Sequence, residues 1–150
     1  MSLQTFHHVA LVCKDPLAVE RYYTRHFGFS RGRVIPMSAS EQIVFIRSGE
    51  LYLELFQAKG DAPVAPVGGA GPEYAGWRHL AFKVDDIHAK LAEMGDDARI
   101  TLGPLSFDDV IPGWRTVWVA DPEDNVIEIS QGYVDQEQPP PLNTAQGQRD

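Results

Sequence analysis

His8-Val9-Ala10-Leu11-Val12-Cys13-Lys14-Asp15 returns 71 residues later as His79-Leu80-Ala81-Phe82-Lys83-Val84-Asp85-Asp86, with His, Ala and Asp at matching offsets. Each stretch is a short run rich in β-branched and aromatic residues, the pattern of a strand, predicted over 5–13 in the first half and 77–84 in the second. Each closes on an Asp placed to cap a helix. Asp15 precedes Pro16, which suits a first helical position, and Asp86 precedes Ile87.

The match continues outward from these two stretches. Val19, Tyr22, Tyr23 and His26-Phe27 form a 3.6-period stripe that Gly28 stops, and Ile87, Leu91 and Met94 form a second that Gly95 stops. Three strands are predicted after each helix. In the first half they lie near 29–36, 41–48 and 50–57, the last two joined by a tight Ser48-Gly49-Glu50 turn. In the second they lie near 98–103, 114–120 and 126–131, with Asp121-Pro122-Glu123-Asp124-Asn125 as a hairpin turn. The order is β-α-β-β-β twice, an α+β architecture. One domain therefore spans 1–131: a first module at 5–57, a Gly- and Pro-rich linker at 58–76, and a second module at 77–131. The polar, Pro-rich tail at 132–150 has the composition of disorder or polyproline II.

Composition narrows the function classes. The apolar share of 43% and charged share of 23% suit a globular domain with a full core. No apolar run approaches the ~20 residues of a membrane span, and Met1-Ser2-Leu3-Gln4 lacks the features of a signal peptide. A single Cys13 leaves no intrachain disulfide, which suits a reducing cytoplasm. The net charge of −8, with no Lys/Arg cluster, would repel a phosphate backbone and argues against nucleic acid.

The chemistry sits on alternating faces. His8, Ala10 and Val12 share one side of the first strand, as His79, Ala81 and Lys83 do in the second repeat. Tyr52-Leu53-Glu54-Leu55-Phe56-Gln57 returns as Val126-Ile127-Glu128-Ile129-Ser130-Gln131, so each module also carries a Glu between apolar neighbours. An ionised Glu there is costly to bury unless paired or bound to a metal. His8, Glu54, His79 and Glu128 make a two-nitrogen, two-oxygen set suited to Zn, Ni, Co, Mn or Fe. Tyr52 and Phe56 share the face of Glu54 and are candidate substrate contacts; Arg115 and Arg78 could hold an anion or balance surface charge. His7 alternates with His8 and reads as structural, and neither His26 nor His88 is given a catalytic role. Trp77, Trp114 and Trp118 suit a core better than a pocket, and Asp108-Asp109 a solvated loop.

Phe6-His7-His8-Val9-Ala10-Leu11-Val12, Tyr23 through Gly28-Phe29, Trp77 through Asp85, and Asp121-Pro122 through Glu128 together resemble the vicinal oxygen chelate superfamily of glyoxalases, bleomycin-resistance proteins and extradiol dioxygenases. The resemblance covers about residues 5–131. It implies two βαβββ repeats forming a curved, cup-shaped mixed sheet, with the four metal-ligand positions falling on His8, Glu54, His79 and Glu128. The glyoxalase I pattern of His, Glu, His, Glu is met in full. Val12 stands where glutathione-dependent members usually carry Arg. The activity implied is that of a metal-dependent lyase or isomerase on a small molecule, with Glu128 or Glu54 moving a proton. Two other readings are an Fe(II)-dependent ring-cleaving oxygenase and a metal-free binding protein of the bleomycin-resistance kind. The resemblance further implies a homodimer, with each metal site completed within one chain or across two.

Overall fold

Alternating apolar residues build two four-stranded sheets, one from each repeat. The structure, a computed structural model, describes residues 6–61 and 76–141. Thr5 at the predicted start of the first strand, linker residues 62–75 and tail residues 142–150 lie outside the described residues. The elements are β1 (His8–Cys13), α1 (Pro16–Phe27), β2 (Ser30–Pro36), β3 (Gln42–Ser48), β4 (Leu51–Gln57), β5 (Leu80–Lys83), α2 (Ile87–Met94), β6 (Arg99–Ser106), β7 (Arg115–Ala120) and β8 (Val126–Gln131). A 3₁₀ turn, Gly95–Asp97, joins α2 to β6.

The strand orders are β1-β4-β3-β2 and β5-β8-β7-β6, so the repeats share a topology as well as a sequence pattern. The first strand of each runs parallel to the last, and the other pairings are antiparallel. Asp15 caps α1 by accepting the Ala18 N–H at 3.0 Å, and Gly28 ends it at φ 67°, a left-handed conformation that suits glycine. Asp86 caps α2 with two bonds, from the N–H groups of His88 and Ala89.

One side of each sheet is packed. Val44, Ile46, Leu53 and Leu55 are fully or almost fully buried in the first, as are Val117, Val119, Ile127 and Ile129 in the second. Each such side chain contributes roughly 1.5–3 kcal/mol relative to exposure. The predicted stripe of α1 is the buried one, with Val19, Tyr22, Tyr23 and His26 all inside.

Contacts from α1 also tie the halves together. Phe27 stacks on Phe82 of β5 at 4.2 Å, and His26 Nε2 lies 2.8 Å from Asp97 Oδ2. The Tyr23 hydroxyl donates to Asp121 at 3.1 Å. Asp121 is fully buried and also accepts from the N–H groups of Glu123 and Asn125 and from the Asn125 side chain, which closes the predicted hairpin turn. Burial raises its carboxyl above the ordinary range, and these donors pull against that rise.

Two strands depart from expectation. The predicted strand at 77–84 forms only over Leu80–Lys83, because its partner β8 begins at Val126 and leaves the earlier residues almost nothing to pair with. Trp77 there is 96% exposed, not core. Conversely β6 continues past the predicted end at 103 to Ser106, through Gly103-Pro104. It is an edge strand, where a missing proline N–H interrupts no ladder on the open side. Among the described residues no helix is long and apolar enough to cross a membrane.

Candidate metal centre

In the first half, register places three cross-strand rows on the face opposite the core. His8 lies beside Tyr52, which lies beside Arg47; Ala10 lies beside Glu54, which lies beside Phe45 and then Arg33. Val12, Phe56 and Ile35 belong to the apolar third row. Across the first two rows His8 Nε2 reaches Glu54 Oε2 at 3.1 Å, with the Glu54 side chain 16% exposed. The Phe45 ring stands edge-on to His8 at 5.8 Å.

The second half repeats this arrangement. Ala81 lies beside Glu128, which lies beside Trp118 and then Leu102. His79 Nε2 reaches Glu128 Oε2 at 2.8 Å, again with a Glu side chain 16% exposed. The buried Thr116 hydroxyl lies 2.9 Å from Glu128 Oε1 and 3.2 Å from the Ile129 carbonyl. Both Glu128 oxygens therefore have partners. His79 Nδ1 and Trp118 Nε1 are buried without hydrogen-bond partners among the described residues.

The four predicted ligands thus come together as two pairs. Among the described residues no three His, Cys, Asp or Glu side chains gather closely enough to share one ion. His8 and His79 do line one cleft of about 640 Å³ between the β1 and β5 edges, with Phe6, Trp77 and Arg78. Each pair taken alone fits a divalent ion. Two donors held at about 2.1 Å and at right angles lie about 3 Å apart, close to the observed His–Glu separations of 3.1 and 2.8 Å. The Thr116 bond to Glu128 is the kind of outer contact that orients a ligating carboxylate.

Several site neighbours were hidden from the sequence. His7 is not set apart from His8: its Nδ1 lies 2.6 Å from His8 Nδ1, and its ring stacks on Tyr52 at 5.4 Å. It precedes β1, so strand alternation does not govern it. Thr116, Phe45 and Arg47 join the site through cross-strand register, which no single strand reveals. Of the residues proposed as substrate contacts, Tyr52 lies in the first row and Phe56 in the third. Arg115 instead alternates with Thr116 and pairs with Asp108 at 2.9 Å. Asp108 is more than a solvated loop residue. It accepts from Ser106 and the Gly113 N–H at 2.6 Å each, and these bonds, ahead of Arg115, hold its carboxyl below the usual range. Trp118 lines the Glu128 face, while Trp114 donates to Ser130 at 3.1 Å.

Comparison with known proteins bears on the family and the fold. YwkD of Bacillus subtilis (strain 168), an uncharacterized protein, is 28% identical over 134 residues, covering 86% of this chain and 98% of its own. The crystal structure of a glyoxalase family protein from Enterococcus faecalis is 29% identical with a TM-score of 0.62, covering 87% of this chain and 99% of its own. Lactoylglutathione lyase from Agrobacterium tumefaciens shares the fold at 22% identity and a TM-score of 0.57, over 88% of this chain and 96% of its own. The family model for the glyoxalase/bleomycin resistance protein/dioxygenase superfamily matches residues 5–129, nearly the whole of both repeats. This chain belongs to that superfamily.

Proposed function

We propose that the protein is a divalent-metal-dependent enzyme of the glyoxalase type, a lyase or isomerase acting on a small molecule with vicinal oxygens. The observation that carries this reading is the repeated His–Glu contact, at 3.1 Å in one half and 2.8 Å in the other, at equivalent register on the unpacked face. His8, Glu54, His79 and Glu128 would hold Zn, Ni, Co, Mn or Fe. Because they stand as two pairs in one chain, we assign each ion to one pair from each of two copies, which makes the working form a homodimer. The ring-cleaving oxygenase fits less well, since a facial triad needs two His and one carboxylate, and here a second Glu stands in the equivalent place.

When bound, such an ion supplies Lewis acidity to the substrate's vicinal oxygens. The chain's own residues do the rest. A carboxylate oxygen of Glu128 or Glu54 takes a proton from the carbon beside the polarised oxygen and returns it to the neighbouring atom. Thr116 keeps Glu128 Oε1 oriented while Oε2 faces His79. Phe45 and Trp118 stand edge-on to His8 and His79 and flank the two pairs.

The test is elemental analysis of untagged protein purified without chelator, beside the variants His79→Ala and Glu128→Gln. About one ion per four-ligand site is expected in the wild type, none in His79→Ala, and lowered occupancy with no proton transfer in Glu128→Gln. Wild-type protein that takes up no metal after reloading would sink the reading, as would Glu128→Gln with full metal and full activity.

A further inference from the structure

The two repeats keep their metal-ligand candidates and differ in what surrounds them. In the first half the residues beside Glu54 and Tyr52 on the outer strands include Arg33, opposite Phe45, and Arg47, opposite Tyr52. The equivalent places in the second half hold Leu102, opposite Trp118, and Ala120, opposite Val126. Two guanidinium groups therefore share the unpacked face of the first repeat, where the second has Arg99 alone, opposite Ala120 and already paired with Asp124. Cross-strand diagonals lie about 7–8 Å apart, within reach of long side chains, so both cations can approach one anion.

Neither Arg33 nor Arg47 meets a carboxylate among the described residues, although the chain carries 21 acidic residues against 13 basic. Arg25, Arg31, Arg99 and Arg115 each pair with one. The strand is built to divide these roles. Its register shifts between Arg31 and Arg33, so Arg31 turns to Glu20 on the helix side while Arg33 takes the face opposite the core. Gly32 sits in that bulge, where an added Cβ would lie 3.7 Å from the Tyr52 ring and 3.8 Å from Arg47 Cδ.

Arg47 is also held in place. Its Nη1 donates to the Tyr52 hydroxyl at 3.4 Å, and its guanidinium lies over the Tyr52 ring at 5.6 Å. His7 stacks on Tyr52 at 5.4 Å. One N–H of five is used, and the rest of the planar fork stays available to an oxyanion. Tyr52 and Glu54 are two residues apart on β4, about 7 Å along the strand.

We infer that Arg47, assisted by Arg33, binds an anionic group of the substrate, a carboxylate or phosphate carried a few bonds from its vicinal oxygens. The substrate class is then a 2-hydroxy or 2-oxo compound with a second, anionic end. This rests on the proposed function in taking the Glu54 pair as the reacting centre, but the anion subsite itself needs no metal. The experiment is calorimetric titration of the full-length, chelator-treated protein with malate and 3-phosphoglycerate, against lactate and glycerate, which lack the second anionic group.

The doubly anionic compounds are expected to bind at least tenfold more tightly, a preference that falls with added salt. Arg47→Gln should abolish that preference and Arg33→Gln weaken it, while metal content in both stays at the wild-type level. Whichever of malate and 3-phosphoglycerate shows the larger Arg47-dependent preference identifies the group as carboxylate or phosphate. Equal binding by the wild type of compounds with and without the second anionic group would overturn the inference, and so would a preference that survives Arg47→Gln. A wild type that binds no metal yet shows an Arg47-dependent preference would refute the metal reading and keep the subsite.

Discussion

Cys13 ends β1 on its packed side, fully buried, while Val12 beside it is 69% exposed. Burial pushes its thiol up to about 12, and the carboxylates of Glu123, Asp121 and Asp15 add to the rise. Almost no thiolate exists near neutral pH, so the native thiol should be inert. A disulfide dye at pH 8 should find no thiol in the folded protein and one per chain in denaturant; rapid native reaction would mean that β1 is not held as described. At this scale the four ligand candidates were legible because each breaks an apolar pattern: an imidazole opening a strand, a carboxylate between Leu53 and Leu55 or between Ile127 and Ile129. Thr116, Arg47 and His7 were not, since their partners lie on other strands or just before one.

Elements were read more surely where chemistry punctuates the chain. Asp15, Pro16 and Gly28 bound α1, and the structure keeps those bounds. β5 and β6 were misjudged at their ends, because strand length follows the partner's length and the edge position, and neither is local. The packing of α1 on the second half was also unwritten in any motif, and it has a pH signature. Half-exposed Asp97 accepts from His26, and this bond, helped by Arg25, holds its carboxyl below the usual range. A depressed carboxylate adds stability above its unfolded pKa of about 3.9 and loses it as pH falls through the folded value. The melting temperature of Asp97→Asn should therefore lie below wild type near pH 6 and converge with it in acid. A constant gap down to pH 2 would show that the bond does not link to protonation.

For the whole molecule, the duplication made the architecture readable, since one βαβββ unit in two copies leaves little freedom in topology. It did not say how the copies' ligands combine. Mixing His8→Ala with His79→Ala under conditions that exchange subunits separates the possibilities. If each ion takes one pair from each of two copies, neither variant alone should hold metal, and the mixed dimer should regain one intact site. No recovery in a verified heterodimer would place each site within a single chain.

The unlike flanks of the two repeats bear on handedness. Tyr52 and Arg47 on one wall answer Val126 and Ala120 on the other, while Ser130 and Thr116 answer the apolar row of Val12, Phe56 and Ile35. A cavity assembled from such walls lacks the twofold symmetry that two identical repeats would give it, so a ligand lodged between them has one orientation instead of two equivalent ones. A planar, prochiral carbon in that ligand would then offer only one of its faces to a carboxylate, and the product would leave as a single enantiomer.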